Sequence, residues 1–233
     1  MQFDRVITIS TANSRKAVNW KPEKFRWSEF VDRLRTPVRS TETIAAYLAM
    51  KKAQQDELKD VGGFVGGSLT GHRKKGGVVF RDLITLDMDN LPPGYTEEVI
   101  RRAEGLQIGY VLYSTRKHRP ESPRLRLVVP TDKSISPDQY EAAARVLARL
   151  IQLDMDWFDP TTFQPERLMY WPSVCSDGVY VYQAADRAML AADKLLDQYQ
   201  DWRNVAQWPT VPGEAKLRAN AAKKQGDPTE KPG

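Results

Sequence analysis

The sequence predicts an α+β domain built on a mainly antiparallel sheet, and three observations carry that prediction. Strand-like and helix-like segments alternate, but without the regular βαβ spacing of a doubly wound sheet. Hairpin-like pairs interrupt them, most clearly "GGFVGGSLTGHRKKGGVVFRDLITLDMD", where the basic loop "GHRKKGG" joins two apolar runs. Neither a P-loop nor a dinucleotide fingerprint is present; the glycines of "GGFVGG" match neither pattern.

Each element has its own warrant. "RVITIS" opens as a strand, and a polar loop runs through Asn19. "WSEFVDRLRTPVRS" reads as a short helix that stops before Pro37, because the residue before a proline avoids helical angles. From Thr41, "TETIAAYLAMKKAQQDELK" has helical spacing and strong helix formers. After the hairpin, "TEEVIRRAEG" predicts a helix closed by Gly105. "QIGYVLYST" and "PRLRLVVP" read as strands joined by the loop "RKHRPES". In "SPDQYEAAARVLARLIQ", Ser136 is the N-cap, Pro137 the first helical residue and Gln139 the return partner of a capping box. "RLMYWP" and "GVYVYQ" add two strands before a helix around 185–200. The chain therefore divides into one domain over 1–205, helical at 20–60 with its core at 61–185, and a flexible linker at 206–233, where apolar periodicity is lost.

Composition narrows the function classes. A chain of 233 residues, 41% hydrophobic and 28% charged, has the makeup of a soluble globular protein with a sizeable core. The net charge of +5 permits a polyanionic partner. Cys175 is the single cysteine, which excludes a disulfide framework and a cysteine-rich zinc site and fits a reducing, cytoplasmic setting. No apolar run is long enough for a membrane span, and "MQFDRVITIS" is no signal peptide.

The chemistry begins at "RDLITLDMDN". Asp87 and Asp89 are two apart on a strand, so they share a face at roughly 7 Å. With an effective dielectric near 20, two negative charges at that distance repel by about 2.4 kcal/mol. A shared proton, a basic side chain or a divalent cation would relieve this, unless Asp89-Asn90 merely opens a turn. Removing either aspartate should leave the chain folded, with the repulsion gone. Two further stretches place charge where strand meets loop. "YSTRKHRPESPRLRLVVP" holds Arg116, Lys117, His118 and Arg119, then Arg124 and Arg126 on one strand face; "LDMDWFDPTTFQPERLMYWP" holds Asp154, Asp156, Asp159 and Arg167. Taken singly, these are solvated turns and strand faces. Together they supply carboxylates for Mg²⁺ or Mn²⁺ and arginines for phosphate, the parts of phosphoryl or nucleotidyl transfer.

"LITLDMDN", "YSTRKHRPESPRLRLVVP" and "FDPTTFQPERLMYWPS", in that order, resemble the archaeo-eukaryotic primase superfamily, and within it the primase-polymerase domains of phage and prophage replication proteins. The resemblance covers most of residues 40–185. It implies a catalytic core with an RRM-like, mainly antiparallel sheet, helices on one side and the active site on the other. It also implies a two-metal site of Mg²⁺ or Mn²⁺ held by Asp87, Asp89 and Asp159, with Asp156 as rival for the third place. His118 matches the family's phosphate-contacting histidine, although the residue two before it is Arg116 rather than a small one. Ser114, Arg116, Arg124 and Arg126 would bind nucleotide, only one of the last two facing it, while Arg73, Lys74 and Lys75 would track template phosphates. Tyr170 or Trp171 is a base-stacking candidate or, more simply, core. The implied function is primer synthesis on single-stranded DNA from NTPs or dNTPs, in the cytoplasm of a bacterial cell, with a helicase module downstream. A non-catalytic DNA-binding or origin-recognition module and a DxD glycosyltransferase remain as alternatives.

Overall fold

The computed structural model describes residues 1–214; the part of the expected 206–233 linker from residue 215 onward lies outside the described residues. The elements are β1 (Val6–Ala12), β2 (Lys21–Arg26), α1 (Trp27–Arg35), β3 (Val38–Arg39), α2 (Ile44–Ala49), α3 (Lys52–Leu58), β4 (Gly63–Val65), β5 (Gly67–Leu69), β6 (Val78–Met88), α4 (Thr96–Gly105), β7 (Tyr110–Ser114), β8 (Leu125–Ile135), α5 (Pro137–Ile151), β9 (Met169–Tyr170), β10 (Ser173–Val174), β11 (Tyr182–Ala185) and α6 (Ala192–Leu196).

The central sheet has the order β11-β7-β8-β6-β5, antiparallel at every pairing. Within it, β6–α4–β7–β8–α5 is a split β-α-β-β-α unit with β8 between β6 and β7, the arrangement expected of an RRM-like core. Where a fourth strand would lie, the chain after α5 runs along the free edge of β6. Met88 bridges Phe158, the Asp159 N–H donates to the Asp87 carbonyl at 3.0 Å, and the Asp87 N–H donates to Thr162 Oγ1 at 2.9 Å.

Alternation along these strands divides their residues between two cores. Ile84, Leu86 and Met88 of β6, Leu112 of β7 and Leu125, Leu127 and Val129 of β8 face α4, α5 and α6. Leu83, Val111, Tyr113 and Val128 face the other way, onto Trp27, Phe30 and Leu34 of α1 and Ile7 and Ile9 of β1. Burying each such aliphatic side chain contributes about 1.5–3 kcal/mol, so a sheet covered on both faces is strongly anchored. The second layer is a β2-β1-β4-β9 sheet, also antiparallel. The face opposite the helices is therefore not open: the candidate site occupies the gap this layer leaves between the end of β6 and β9. The "GGFVGG" glycines serve that packing. A Cβ on Gly63 would lie 2.4 Å from the Met169 carbonyl oxygen, and one on Gly67 would lie 2.0 Å from that of Phe80.

Several segments depart from expectation. β2, at the start of the part expected to be helical over 20–60, is an exposed edge strand whose lysines and Pro22 hide the alternation a buried strand would show. The helix from Thr41 breaks in two because Met50 and Lys51 are extended; the buried Gln55 side chain donates to the Leu48 and Met50 carbonyls and ends α2 there. Gly105 is the last residue of α4, and the left-handed position falls at Gln107, with φ of 56°. The helix expected around 185–200 contracts to α6, and the short parallel pair β3–β10 was not foreseen. Packing also continues past residue 205: Trp208 and Val211 are buried in the core, and Arg145 pairs with Glu214 at 2.7 Å. The capping box at Ser136 forms as expected, with Gln139 and Ser136 exchanging hydrogen bonds.

Candidate active site

The site starts from strand register. Asp87 on β6 stands opposite Arg126 on β8, which stands opposite Tyr113 on β7, so all three point from the same face. Arg126 Nε donates to Asp87 Oδ1 at 2.5 Å and Nη2 donates to Oδ2 at 3.0 Å. Its Nη1 donates to the Tyr113 hydroxyl at 3.2 Å and to the Tyr170 carbonyl at 2.9 Å. This is a forked, charge-assisted pair, with the side chains only 6% and 7% exposed. Burial works against the Arg126 charge, yet the Asp87 carboxylate and then Tyr113 outweigh it and hold its pKa above the usual arginine value.

The two other aspartates are paired in the same way. Asp89 Oδ2 meets Arg124 Nη1 at 2.9 Å, at a half-exposed position. Its pKa is raised by burial first, then by the neighbouring Asp87 charge, with Arg124 pulling the other way. Asp159 is delivered by the segment running along β6. Its Oδ2 accepts from Arg167 Nη2 at 3.0 Å, while Oδ1 accepts from the Thr161 N–H at 2.9 Å and hydroxyl at 2.8 Å, capping the 3-10 turn Pro160–Phe163. Of the three remedies for carboxylate repulsion, the fold uses a basic side chain, one for each acid. Both Arg124 and Arg126 face the carboxylates, where only one was expected to face the site.

Asp87, Asp89 and Asp159 line one cavity of about 450 Å³. Asp156, the rival third acid, is exposed and does not line it. Nine basic side chains surround the same space, Arg167 of the third charged stretch among them, together with Arg15, Lys52 and Lys59, which the sequence did not point to. Their only sequence signal was basic charge scattered over distant segments. Among the described residues, no three acidic, histidine or cysteine side chains stand close enough to hold a metal as they are placed. The donor chemistry nevertheless suits a hard cation, since three carboxylates open on one cavity. Asp89 also feels both Asp87 and Asp159, a crowding that a cation would relieve.

The remaining expected residues separate into two groups. Arg116 lines the cavity with its guanidinium over the Tyr47 ring at 4.7 Å, its Nη2 bonding Ser40 at 2.7 Å and also Glu42. Arg73 also lines it, over the Trp20 ring at 5.4 Å, whereas Lys74 and Lys75 are exposed and do not. Ser114 reaches the cavity, but its hydroxyl accepts from the Val181 N–H at 2.9 Å and so secures the start of β11. His118 is buried and is not a lining residue. Its Nδ1 accepts from the Arg124 N–H at 3.2 Å, which leaves Nε2 as the protonated nitrogen, and burial lowers its pKa. Trp171 belongs to the second core, while Tyr170 is half-buried at the cavity with Lys59 over its ring at 5.2 Å.

A split antiparallel sheet with strand-end aspartates beside a cavity lined by nine basic side chains defines an α+β domain whose cavity charge suits an anionic ligand. The chain belongs to the VapE N-terminal domain family, whose model matches residues 1–211. This bears out, at family level, the resemblance to phage-type primase-polymerase domains. Among solved structures, the chain is similar to the AEP domain of a cyanophage S-2L primase-polymerase, with 13% identity, 82% of this chain and 88% of that chain covered, and a TM-score of 0.43. No curated protein matches it. No described helix is long and apolar enough to cross a membrane.

Proposed function

We propose that this domain is a DNA primase-polymerase that makes primers on single-stranded DNA by metal-dependent, template-directed nucleotidyl transfer. The observation that supports it is the convergence of Asp87, Asp89 and Asp159 on a cavity whose other charged side chains are all basic. Asp87, Asp89 and Asp159 would hold Mg²⁺ or Mn²⁺, which when bound lowers the pKa of the attacking 3′-hydroxyl and stabilises the pyrophosphate leaving group. Arg124, Arg126 and Arg167 occupy those carboxylates now, and a triphosphate offers the arginines anionic oxygens in exchange. His118, through Nε2–H, and Arg116 would help to orient the nucleotide, with Ser114 as strand support; Arg73, with Lys74 and Lys75 behind it, would meet template phosphates. A helicase module downstream and a bacterial cytoplasmic setting belong to the same reading.

The test is synthesis of oligonucleotides from labelled NTPs or dNTPs on single-stranded DNA, in Mg²⁺, in Mn²⁺ and in chelator. Products that appear only with metal support the proposal. A second reading, a non-catalytic DNA-binding module, draws on the fact that each aspartate is already satisfied by an arginine. It predicts no product in any condition and DNA binding unaffected by chelator.

A further inference from the structure

Away from the carboxylates, the cavity carries a surplus of positive charge that nothing in the fold neutralises. Lys52, the first residue of α3, and Lys59, its C-cap, both reach the same oxygen of Asp56, at 2.7 and 2.8 Å. Lys117, from the loop between β7 and β8, lies over the Tyr47 ring at 6.0 Å, beside the Arg116 guanidinium stacked on that ring. Among the described residues no carboxylate lies within ion-pair distance of Lys117. Lys52 and Lys59 thus share one carboxylate and Lys117 meets none, which leaves two positive charges over. Arg116 does not help, because Glu42 already balances it. All of these cations line the cavity that holds the aspartates. Burial first, then the charges of Lys52, Arg124 and Lys59, lower the Lys117 pKa, with Asp56 pulling weakly the other way. Like charges gathered along the wall of a cleft raise the local positive potential and draw in an anion. The side chains are lysines rather than forked arginines, which suits a tetrahedral phosphate approached as a point charge.

We propose that Lys52, Lys59 and Lys117, above the Tyr47–Arg116 stack, form a phosphate-binding subsite that takes the terminal phosphates of a nucleoside triphosphate. This rests on the nucleotide reading above and adds a wall to it that lies outside the strand-end motifs. A cavity of about 450 Å³ is of the size that small-molecule ligands occupy.

The experiment is calorimetric titration of the full chain, in chelator, with sodium tripolyphosphate, with ATP and with an oligothymidylate lacking terminal phosphates. Lys52→Met/Lys117→Met is compared with the parent and with Asp89→Asn. The double lysine variant should bind tripolyphosphate and ATP about tenfold or more weakly, the loss expected for charge-assisted contacts. Asp89→Asn should bind them as well as the parent or better. Losses confined to the oligothymidylate would overturn the nucleotide assignment and give the subsite to a strand's backbone phosphates. Parental affinity for all three probes, in a variant with the parent's melting temperature, would overturn the subsite itself; Lys52 is 69% exposed, so the variant is expected to fold. Because no metal is present, a failed synthesis assay would sink the primase reading and leave this result standing.

Discussion

At the β6 end of the cavity every carboxylate meets its own arginine, whereas along α3 and the 115–118 loop Lys52 and Lys59 share Asp56 and Lys117 meets no carboxylate among the described residues. The first region is stiff and in part deeply buried, with the Asp87–Arg126 pair locked by strand register and by Tyr113. The second is more exposed and hangs on two short helices. Charges taken out of water must be matched closely, because an unpaired one costs several kcal/mol. Charges at a rim are screened, so a surplus is tolerated and remains available to a ligand.

The sharpest way to break the contrast is Asp87→Ala. Repulsion alone predicted that this change would leave the fold untroubled, but it strands Arg126 in the core and should cost about 3–5 kcal/mol. Urea denaturation would show it, and adding Arg126→Met should recover most of the loss. Next is Arg81→Met. Arg81 is fully buried over Tyr140 at 4.0 Å and donates to the Leu83 and Pro165 carbonyls, tying the segment that carries Asp159 to β6. Leaving such carbonyls unsatisfied should lower the denaturation free energy by about 1–3 kcal/mol. Asp89→Asn should fall within about 1 kcal/mol of the parent in the same measurement, since the Asp89–Arg124 pair is half-exposed. The smallest effect belongs to the lysine wall. Hydrogen bonds from Lys52 and Lys59 lower the Asp56 pKa from 3.8 to about 2. A depressed carboxyl pKa stabilises the fold above 3.8, and that contribution fades as pH falls through about 2. Parent and Asp56→Asn should therefore differ by at most about 1 kcal/mol at neutral pH, and their melting temperatures should converge across that acid window.

How much of this was legible in the sequence follows from where each signal resides. The α5 capping box is local, spelled out by Ser136, Pro137 and Gln139, and it forms as read. The Asp87/Asp89 pair is also local, because a strand's period of two needs no partner to be seen. Asp159 was legible as an acid just before a strand, but its nearness to Asp87 depends on the 158–162 segment lying along an otherwise bare edge. The arginine partners could not be assigned, because Asp87 faces Arg126 only once β6 and β8 pair in a particular register. The lysine wall was hidden for a different reason. Helix propensity favours a continuous helix through Met50 and Lys51, and the break that presents Lys52 and Lys59 comes from Gln55 capping α2. His118 was legible as a histidine in a basic loop, but its burial beside the cavity and the Arg124 N–H bond to its Nδ1 depend on how that loop folds back on β8.

The most direct test of the central claim, that the strand-end aspartates perform metal-dependent nucleotidyl transfer, is primer synthesis on single-stranded DNA by Asp89→Asn beside the parent, because that variant keeps its fold. The account predicts metal-dependent products from the parent and none from the variant, with DNA binding equal in both. Equal synthesis by the two proteins would contradict it.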